Sequence, residues 1–328
     1  MLITCFIFQG FVALVFTLSI YLWSKLRAVN SKAKWCADMK RDTYLKALYG
    51  VILLSIGNLS LSCDSNAVVT FYSQFSQDEF IHTFLFPHEK NGVFVDIGAH
   101  DGKTYSNTLF FERHRGWTGV CIEPMPDIFA QLRANRSCVC IEGCICDKKD
   151  RDYIEFLRVH SSAINTEMLS GILENYETAH LERVEREVSS SQGWTEIIKV
   201  KCYNLNELLA GLGLFYINYL SIDTEGGELD ILKSIDFDRF MINVIEVENN
   251  YNDPNFEIFM QAKGFRKIVR IVCDEIYVRS SWYQDSCNHH ESIAIPLQTS
   301  YEFEKFMRRQ GWRIVGSGDW WFKKPHSS

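Results

Sequence analysis

Positive charge is scarce in this sequence. Thirty-four lysines and arginines stand against 41 aspartates and glutamates, a formal net charge of −7. Phosphate backbones demand a basic surface, so a nucleic-acid partner is excluded. Proline is also scarce, six in 328 residues, and there is no low-complexity tract, long charge run or array of repeats. What remains is an ordinary globular composition, 47% apolar and 23% charged, long enough for one large domain with appendages. Aromatics, at 14%, suffice to line a large core or a carbohydrate-facing pocket.

Charge is absent altogether from Leu2 to Trp23, a run long enough to cross a bilayer as a helix. It lacks the basic start and small-residue cleavage site of a signal peptide, so it reads as an uncleaved anchor. A basic stretch follows (Lys25, Arg27, Lys32, Lys34, Lys40, Arg41, Lys46), then a second uncharged run from Ala47 to Cys63. If both runs cross, the positive-inside rule puts everything after residue 63 in a lumen or outside the cell. If only the first crosses, the rest is cytosolic. If Met39 begins a signal-like sequence, the rest is again lumenal. The expected organisation is a membrane-anchor region over 1–65, a catalytic domain over 66–280, and an extension over 281–328 packed on it. The expected setting is the endoplasmic reticulum or Golgi.

Eleven cysteines, eight of them beyond residue 66, are many for a cytosolic protein of this size. Cys138, Cys140, Cys144 and Cys146 alternate along one expected strand, and zinc, disulfides and buried thiols are all open for them. Asn135-Arg136-Ser137 is a glycosylation sequon, compatible with a lumenal domain.

From residue 66 strand and helix signals alternate, which predicts a parallel α/β sheet. Strands are expected at 92–97, 118–122, 138–145, 153–159, 197–202, 217–222 and 242–247. Helices are expected at 103–115, 127–134 behind Pro126, 228–234 and 255–263, the last closed by Gly264. Asn204 is expected to cap another, with Glu207 as its capping-box partner, and residues 165–187 read as a helical insertion over one end of the sheet. Glu257-Ile-Phe-Met before Gly264-Phe-Arg is echoed by Glu304-Lys-Phe-Met before Gly311-Trp-Arg, by a small duplication or by chance.

Three strand ends carry the chemistry. Val95-Asp-Ile-Gly-Ala-His-Asp-Gly102 lies between a strand and a helix, and Gly98 and Gly102 permit a tight turn and close approach to a ligand. Glu123, ending the second strand in Cys121-Ile-Glu-Pro-Met-Pro126, can accept hydrogen bonds from both hydroxyls of a ribose. A dinucleotide site is the rival, but Gly-x-x-x-Gly replaces Gly-x-Gly-x-x-Gly, and Asp96 suits an ammonium group better than a pyrophosphate. Asp223, in Ser221-Ile-Asp-Thr-Glu-Gly-Gly-Glu228, should face the same crevice. With Glu248 and Asn249 it forms an oxygen-rich set able to hold Mg²⁺, which would lower the pKa of an acceptor hydroxyl. Without a metal, Asp223, Glu248 or His100 would act as general base. Capping of the next loop is the alternative role for Glu248 and Asn249. His82 and His114 read as helix-face residues, and most of Trp117, Trp194, Trp282, Trp312, Trp320 and Trp321 as packing rather than sugar-stacking groups.

SQFSQDEFI (73–81), FVDIGAHDGKTYSNT (94–108), GWTGVCIEPMP (116–126), LSGI (169–172), YLSIDTEGGELDIL (219–232) and VIEVENN (244–250) together resemble the FkbM-type methyltransferases over residues 72–280. The resemblance implies a seven-stranded, mostly parallel Rossmann-like sheet and S-adenosylmethionine-dependent O-methylation of a sugar or other small hydroxyl acceptor. It implies a cofactor pocket lined by Asp96, Gly98, Gly102, Glu123 and Asp223, with Ala99 and Pro124 in the same motifs. Gln77, Asp78, Ser106 and Asn107 match positions near it. Two other classes stay open: a non-catalytic membrane-anchored interaction or trafficking protein that keeps the fold, and a nucleotide-sugar or NAD enzyme.

Overall fold

The structure is a computed structural model that describes residues 69–146, 151–176 and 178–289, with 308, 313–314 and 320–322 in the tail. Helix α1 (Gln77–Phe84) precedes β1 (Val93–Ile97), α2 (Leu109–Arg115), β2 (Thr118–Glu123), α3 (Pro126–Asn135) and β3 (Val139–Glu142). An inserted region follows: β4 (Cys144–Ile145), β5 (Tyr153–His160), α4 (Ile164–Glu167), β6 (Gly171–Ile172), α5 (Thr178–Ser190) and β7 (Trp194–Tyr203). The alternation then resumes with α6 (Leu205–Gly211), β8 (Tyr216–Ile222), α7 (Glu228–Ser234), β9 (Met241–Glu248), α8 (Asn255–Ala262), β10 (Phe265–Ile271), β11 (Asp274–Arg279) and α9 (Ser280–His289). Short strands β12 (Arg313–Ile314) and β13 (Trp320–Phe322) come from the tail.

The main sheet has the order β12-β13-β10-β11-β9-β8-β1-β2-β3. Strands β3, β2, β1, β8 and β9 are parallel, and β11 runs antiparallel between β9 and β10. Seven strands between Val93 and Arg279 thus form a mixed α/β sheet, the number that the family resemblance implies, with β10 and β11 in place of the expected strands at 153–159 and 197–202, and β13 and β12 add to its edge beside β10.

Period-two alternation gives the sheet two apolar faces. Phe94, Cys121, Tyr219, Val244 and Ile276 pack on one side against Phe80, Ile81 and Phe84 of α1 and Phe110 and Phe111 of α2. Val95, Ile122, Leu220, Ile222 and Ile245 pack on the other against Leu205 of α6, Leu232 of α7 and Met260 of α8. Along the first face the alternation persists but its chemistry changes near the carboxyl ends of the parallel strands. There Asp96 pairs across with Ser221, Ser221 with Glu246, and Glu248 with Asp274. A row of polar and acidic side chains, buried at 9% exposure or less, has no place in a purely structural core and marks the site.

Four elements differ from expectation. The helix expected at 103–115 begins only at Leu109. Asp101 draws the amides of Lys103 and Thr104 onto one oxygen, Tyr105 takes φ 56°, and the segment is a loop. The strand expected at 138–145 is two strands in different sheets. Gly143, at φ 146°, breaks it, and a Cβ there would lie 2.5 Å from the Lys201 carbonyl of β7. The strands at 153–160 and 194–203 do not extend the main sheet either. They form a second sheet, β4-β7-β5-β6, which α5 covers through Val184 packed on Val159 and Leu169. Periodicity marks such segments as strands but does not say with which sheet they pair.

Elsewhere Asn204 caps α6 by accepting the Glu207 amide, and Gly264 follows α8 at φ 81°. Apart from residue 308 and strand residues 313–314, the second copy of the helix–glycine–strand echo lies outside the described residues. So do both apolar runs, 2–23 and 47–63. Among the described residues no helix is long and apolar enough to cross a membrane.

The cysteines do not assemble a zinc site among the described residues. Cys146 is disulfide-bonded to Cys202, Cys121 and Cys138 lie with their sulfurs 3.5 Å apart, and Cys144 is a separate buried thiol that desolvation pushes up to about 12. The sequon asparagine is also committed: Asn135 Nδ2 donates to the Asp101 carbonyl at 2.8 Å.

Candidate active site

Strand order reverses about β1, with β2 on one side and β8 on the other. A doubly wound sheet leaves its ligand crevice at such a point. The loop leaving β1 is tied to both neighbours: the Gly98 and Ala99 amides donate to the Ile122 carbonyl, and the Asp223 amide donates to that of Ile97. A cavity of about 260 Å³ opens here, lined from β1, β2, β8 and β9 by Asp96, Glu123, Asp223 and Glu248 and from α1 by Gln77. That is near the lower end of the ~300–1,000 Å³ typical of small-molecule sites.

Asp96 closes the floor. Thr108 donates to its Oδ2 at 2.5 Å, and the Arg136 guanidinium lies 3.7 Å from the same atom. Burial pushes the carboxyl up, while Arg136 and Thr108 pull it back. Of the two loop glycines only Gly98 lines the cavity. Gly102 was expected to permit close approach to a ligand, but it faces the protein. A Cβ there would come within 2.5 Å of Leu132 and 2.7 Å of the Arg136 stem, so it is a seat for α3.

Glu123 is 3% exposed. Its Oε2 accepts the His100 amide at 3.0 Å and its Oε1 the Met125 amide at 2.9 Å. Desolvation outweighs these bonds and lifts the carboxyl to about 7. Each oxygen retains a lone pair for a further donor. Beside it, Pro124, Met125, Ile145, Phe156 and Ile172 give the cavity an apolar end. Phe156 and Ile172 come from the second sheet, so the insertion supplies one wall of this slot.

The opposite end is acidic. Asp223, Glu225 and Glu248 bring one carboxylate oxygen each within 4.8 Å of one another. Neither Asp223 nor Glu248 makes a side-chain hydrogen bond or ion pair among the described residues. Burial and then repulsion from Asp223, Glu225, Glu228 and Asp274 raise Glu248; Asp223 keeps an exposed edge and is raised by partial desolvation in the cavity and by the same crowd of carboxylates, and Glu225 stands at about 7. Among the described residues the one cation on this wall is Arg183 of α5, 3.5 Å from Glu225. Asn249 is not part of the group. Its Oδ1 accepts the Asp253 amide and its Nδ2 donates to the Asp253 carbonyl, so it caps the following loop. Glu225 takes the place expected for it, carried inward by three consecutive left-handed residues: Glu225 at φ 53°, Gly226 at 124° and Gly227 at 92°.

The remaining expected residues divide. Gln77 lines the cavity and donates to Asp274 at 2.5 Å. Asn107 lines it too, with Nδ2 on Ser221 and Oδ1 without a partner among the described residues. Asp78 lies behind the cavity, where it accepts from Ser73 and from the Tyr72 amide, and burial lifts it to about 6. His100, at φ 48°, lines the cavity with neither ring nitrogen hydrogen-bonded to a described residue. Burial opposes its charge, but Asp101, Glu123 and Glu167 outweigh it and raise the ring's pKa. Its partners place it at the Glu123 end, away from the acidic trio. His82 and His114 pack on aromatic rings, Trp117 is buried against Phe111, and exposed Trp194 stacks on His160 at 3.8 Å.

Sequence reasoning passes over Glu225, Arg183, Asp274 and Arg136. Glu225 stands inside the Asp-Thr-Glu-Gly-Gly-Glu motif, and the paired glycines after it were the available signal. The others carry none, because each reaches the site from an element distant in sequence.

No curated protein matches the chain. A family model, the methyltransferase FkbM domain, matches residues 96–274, just over half of the chain, spanning the β1 loop, Glu123, the acidic trio and Asp274. The chain belongs to the FkbM methyltransferase family.

Proposed function

We propose that this protein is an S-adenosylmethionine-dependent O-methyltransferase whose acceptor is a hydroxyl of a sugar or glycan. The observation that carries the reading is the polarity of the cavity. An acid able to accept from a ribose diol lies beside an apolar slot at one end, and carboxylates gather at the other. The residues fit the cofactor: Glu123 toward the ribose, Met125, Ile145 and Phe156 about the adenine, Asp96 toward the ammonium group, and the acidic trio toward the sulfonium. A dinucleotide fits poorly, since its pyrophosphate would face the same acids.

When bound, S-adenosylmethionine supplies an electrophilic methyl group on a sulfonium. The protein's part is alignment, exclusion of water and removal of the acceptor proton. Asp223 and Glu248 face the cavity, lack other partners and have raised pKa values, which suits a general base near neutral pH. His100 belongs to the ribose end by its contacts. Asp223, Glu225 and Glu248 also form the donor set for Mg²⁺, an ion that would relieve their mutual repulsion and lower the pKa of an acceptor hydroxyl.

The Cys146–Cys202 disulfide favours an oxidising compartment. It supports a domain on the lumenal side of the endoplasmic reticulum or Golgi, held there by the N-terminal apolar runs. Calorimetry of the full-length protein with S-adenosylmethionine and S-adenosylhomocysteine, with and without Mg²⁺, tests the reading. Binding of both by the wild type, weakened in Glu123→Ala, is expected. Absence of binding by the wild type overturns it and promotes a non-catalytic role.

A further inference from the structure

The loop from Gly98 to Thr108 has little regular structure, yet its second half must keep Asn107 and Thr108 in place beside Asp96 of β1. What holds it is the segment just after α3. Asn135 Nδ2 donates to the Asp101 carbonyl at 2.8 Å. The Arg136 guanidinium, with no exposed surface, reaches the Gly102 carbonyl at 3.5 Å, Ser106 Oγ at 3.3 Å and Thr108 Oγ1 at 2.9 Å. Its Nε donates to Glu112 at 2.8 Å, its plane lies over the Phe94 ring at 5.1 Å, and Ser137 returns two hydrogen bonds to Glu112.

Thr108 donates in turn to Asp96, so a continuous chain runs from guanidinium to hydroxyl to carboxylate. Asp96 Oδ1 makes no hydrogen bond to a described residue, and Asp96 lines the cavity. A buried arginine needs its charge compensated and its donors satisfied, and here the satisfying groups are almost all on the ligand loop. Gly102 is left without a side chain so that the arginine stem can pass.

We propose that Arg136 is a positioning residue: through Thr108 and Asp96 it orients the carboxylate that receives the cofactor's ammonium group, and Asn135 and Ser137 brace it. The triplet that reads as a glycosylation sequon is on this account internal scaffolding of the cofactor loop. The proposal rests on the reading of the cavity as an S-adenosylmethionine site, and it makes a claim that reading does not. Arg136 governs recognition of the amino-acid half of the cofactor and not of the nucleoside half.

Calorimetry of the full-length protein with S-adenosylhomocysteine and with 5′-methylthioadenosine, which lacks the amino-acid portion, separates the two. Arg136→Met is expected to lower affinity for S-adenosylhomocysteine about tenfold or more while leaving methylthioadenosine within about twofold. Arg136→Lys should recover part of the loss. In an Asp96→Asn background Arg136→Met should add little, because the path it acts through is already broken. Thr108→Val cuts the same chain while leaving the buried charge in place, and it should reproduce the selective loss even if Arg136→Met fails to fold. Equal losses for both ligands, or full additivity with Asp96→Asn, overturn the positioning role and leave the cofactor reading intact. A wild type that binds neither ligand overturns both.

Discussion

The carbonyl oxygen of Asp223 occupies the place where a side chain on Gly98 would begin: a Cβ built there would lie 1.7 Å from it. Strands β1 and β8 are neighbours, and their carboxyl ends converge because residue 98 has no side chain and takes φ 88°. The convergence puts Asp223, and with it Glu225 two residues on, into the cavity that Asp96 and Glu123 line, where Glu248 arrives from the end of β9. The glycine of the first motif therefore serves the third motif more directly than it serves a ligand.

Gly98→Ala combines a backbone clash with a left-handed residue, and is expected to destabilise the protein by about 3 kcal/mol. Its Tm should fall by roughly 6–12 °C, with loss of S-adenosylhomocysteine binding. Gly264→Ala is the control. That glycine also has a positive φ, 81°, but no atom lies within 4 Å of its Cβ position, so it should cost only about 1–2 kcal/mol and leave binding unchanged. Thermal melts of the two variants side by side check the difference, and equal costs would show that the approach of Asp223 is not what requires Gly98.

Glu123→Gln should act on the nucleoside half of the cofactor. The carboxylate accepts two backbone amides at once. An amide side chain accepts with one oxygen only and turns its NH₂ toward the other donor. Affinity for S-adenosylhomocysteine and for 5′-methylthioadenosine should fall together, by about 10–100-fold. A loss confined to S-adenosylhomocysteine would remove Glu123 from the ribose site.

The parts of the fold legible in the sequence are those fixed by local pattern. Alternation places β1, β2, β8 and β9, and the strand-end acids Asp96, Glu123 and Asp223 follow from them. Legibility stops where a residue's role is set by chain distant from it. Gly102 looks like Gly98 in the motif, yet only contact with α3 shows that it faces inward. Arg183 comes from an insertion whose pairing into a second sheet no period reveals, and Asn249 looks like a ligand until its loop is seen to take both ends of its amide. The six residues from Lys103 to Thr108 contain no glycine or proline and read as helix, but the side chain of Asp101 just before them captures the amides that would open it.

The Cys146–Cys202 bridge closes a sequence separation of 56 residues around the inserted sheet. By chain entropy such a bridge contributes about 3–4 kcal/mol. Reduction, or Cys202→Ser, should lower Tm by roughly 6–16 °C. Peptide mapping of unreduced protein should recover residues 146 and 202 cross-linked and Cys121, Cys138, Cys140 and Cys144 free to alkylate after denaturation. Recovery of both partners as thiols would remove the main support for an oxidising compartment.

The carboxyls gathered around the cavity make stability depend on pH in an uncommon direction. Glu225 and Glu123 titrate at about 7 against an ordinary 4.5, and Asp274 at about 6 against 3.8. Asp223 and Glu248 are raised as well. A carboxyl raised in the folded state binds protons there that the unfolded chain has released. Its contribution is therefore complete below the unfolded value and lost as pH rises through the folded one. His100, also raised, works in the same sense. Asp101 and Glu112 are held low but titrate below the window; the rings of His82, His114 and His180, held low chiefly by burial, oppose the trend at its acid end, where the raised carboxyls outnumber them. The ligand-free protein should thus melt at least about 5 °C higher near pH 5.5 than near pH 8, and Glu225→Gln with Glu248→Gln should flatten the slope. Adding S-adenosylmethionine or Mg²⁺ near pH 8 should raise Tm more than the same addition near pH 5.5, because a bound cation does there what protons do in acid. A melting temperature independent of pH across this range would show that the carboxylates are not held together at the strand ends as the sheet register places them.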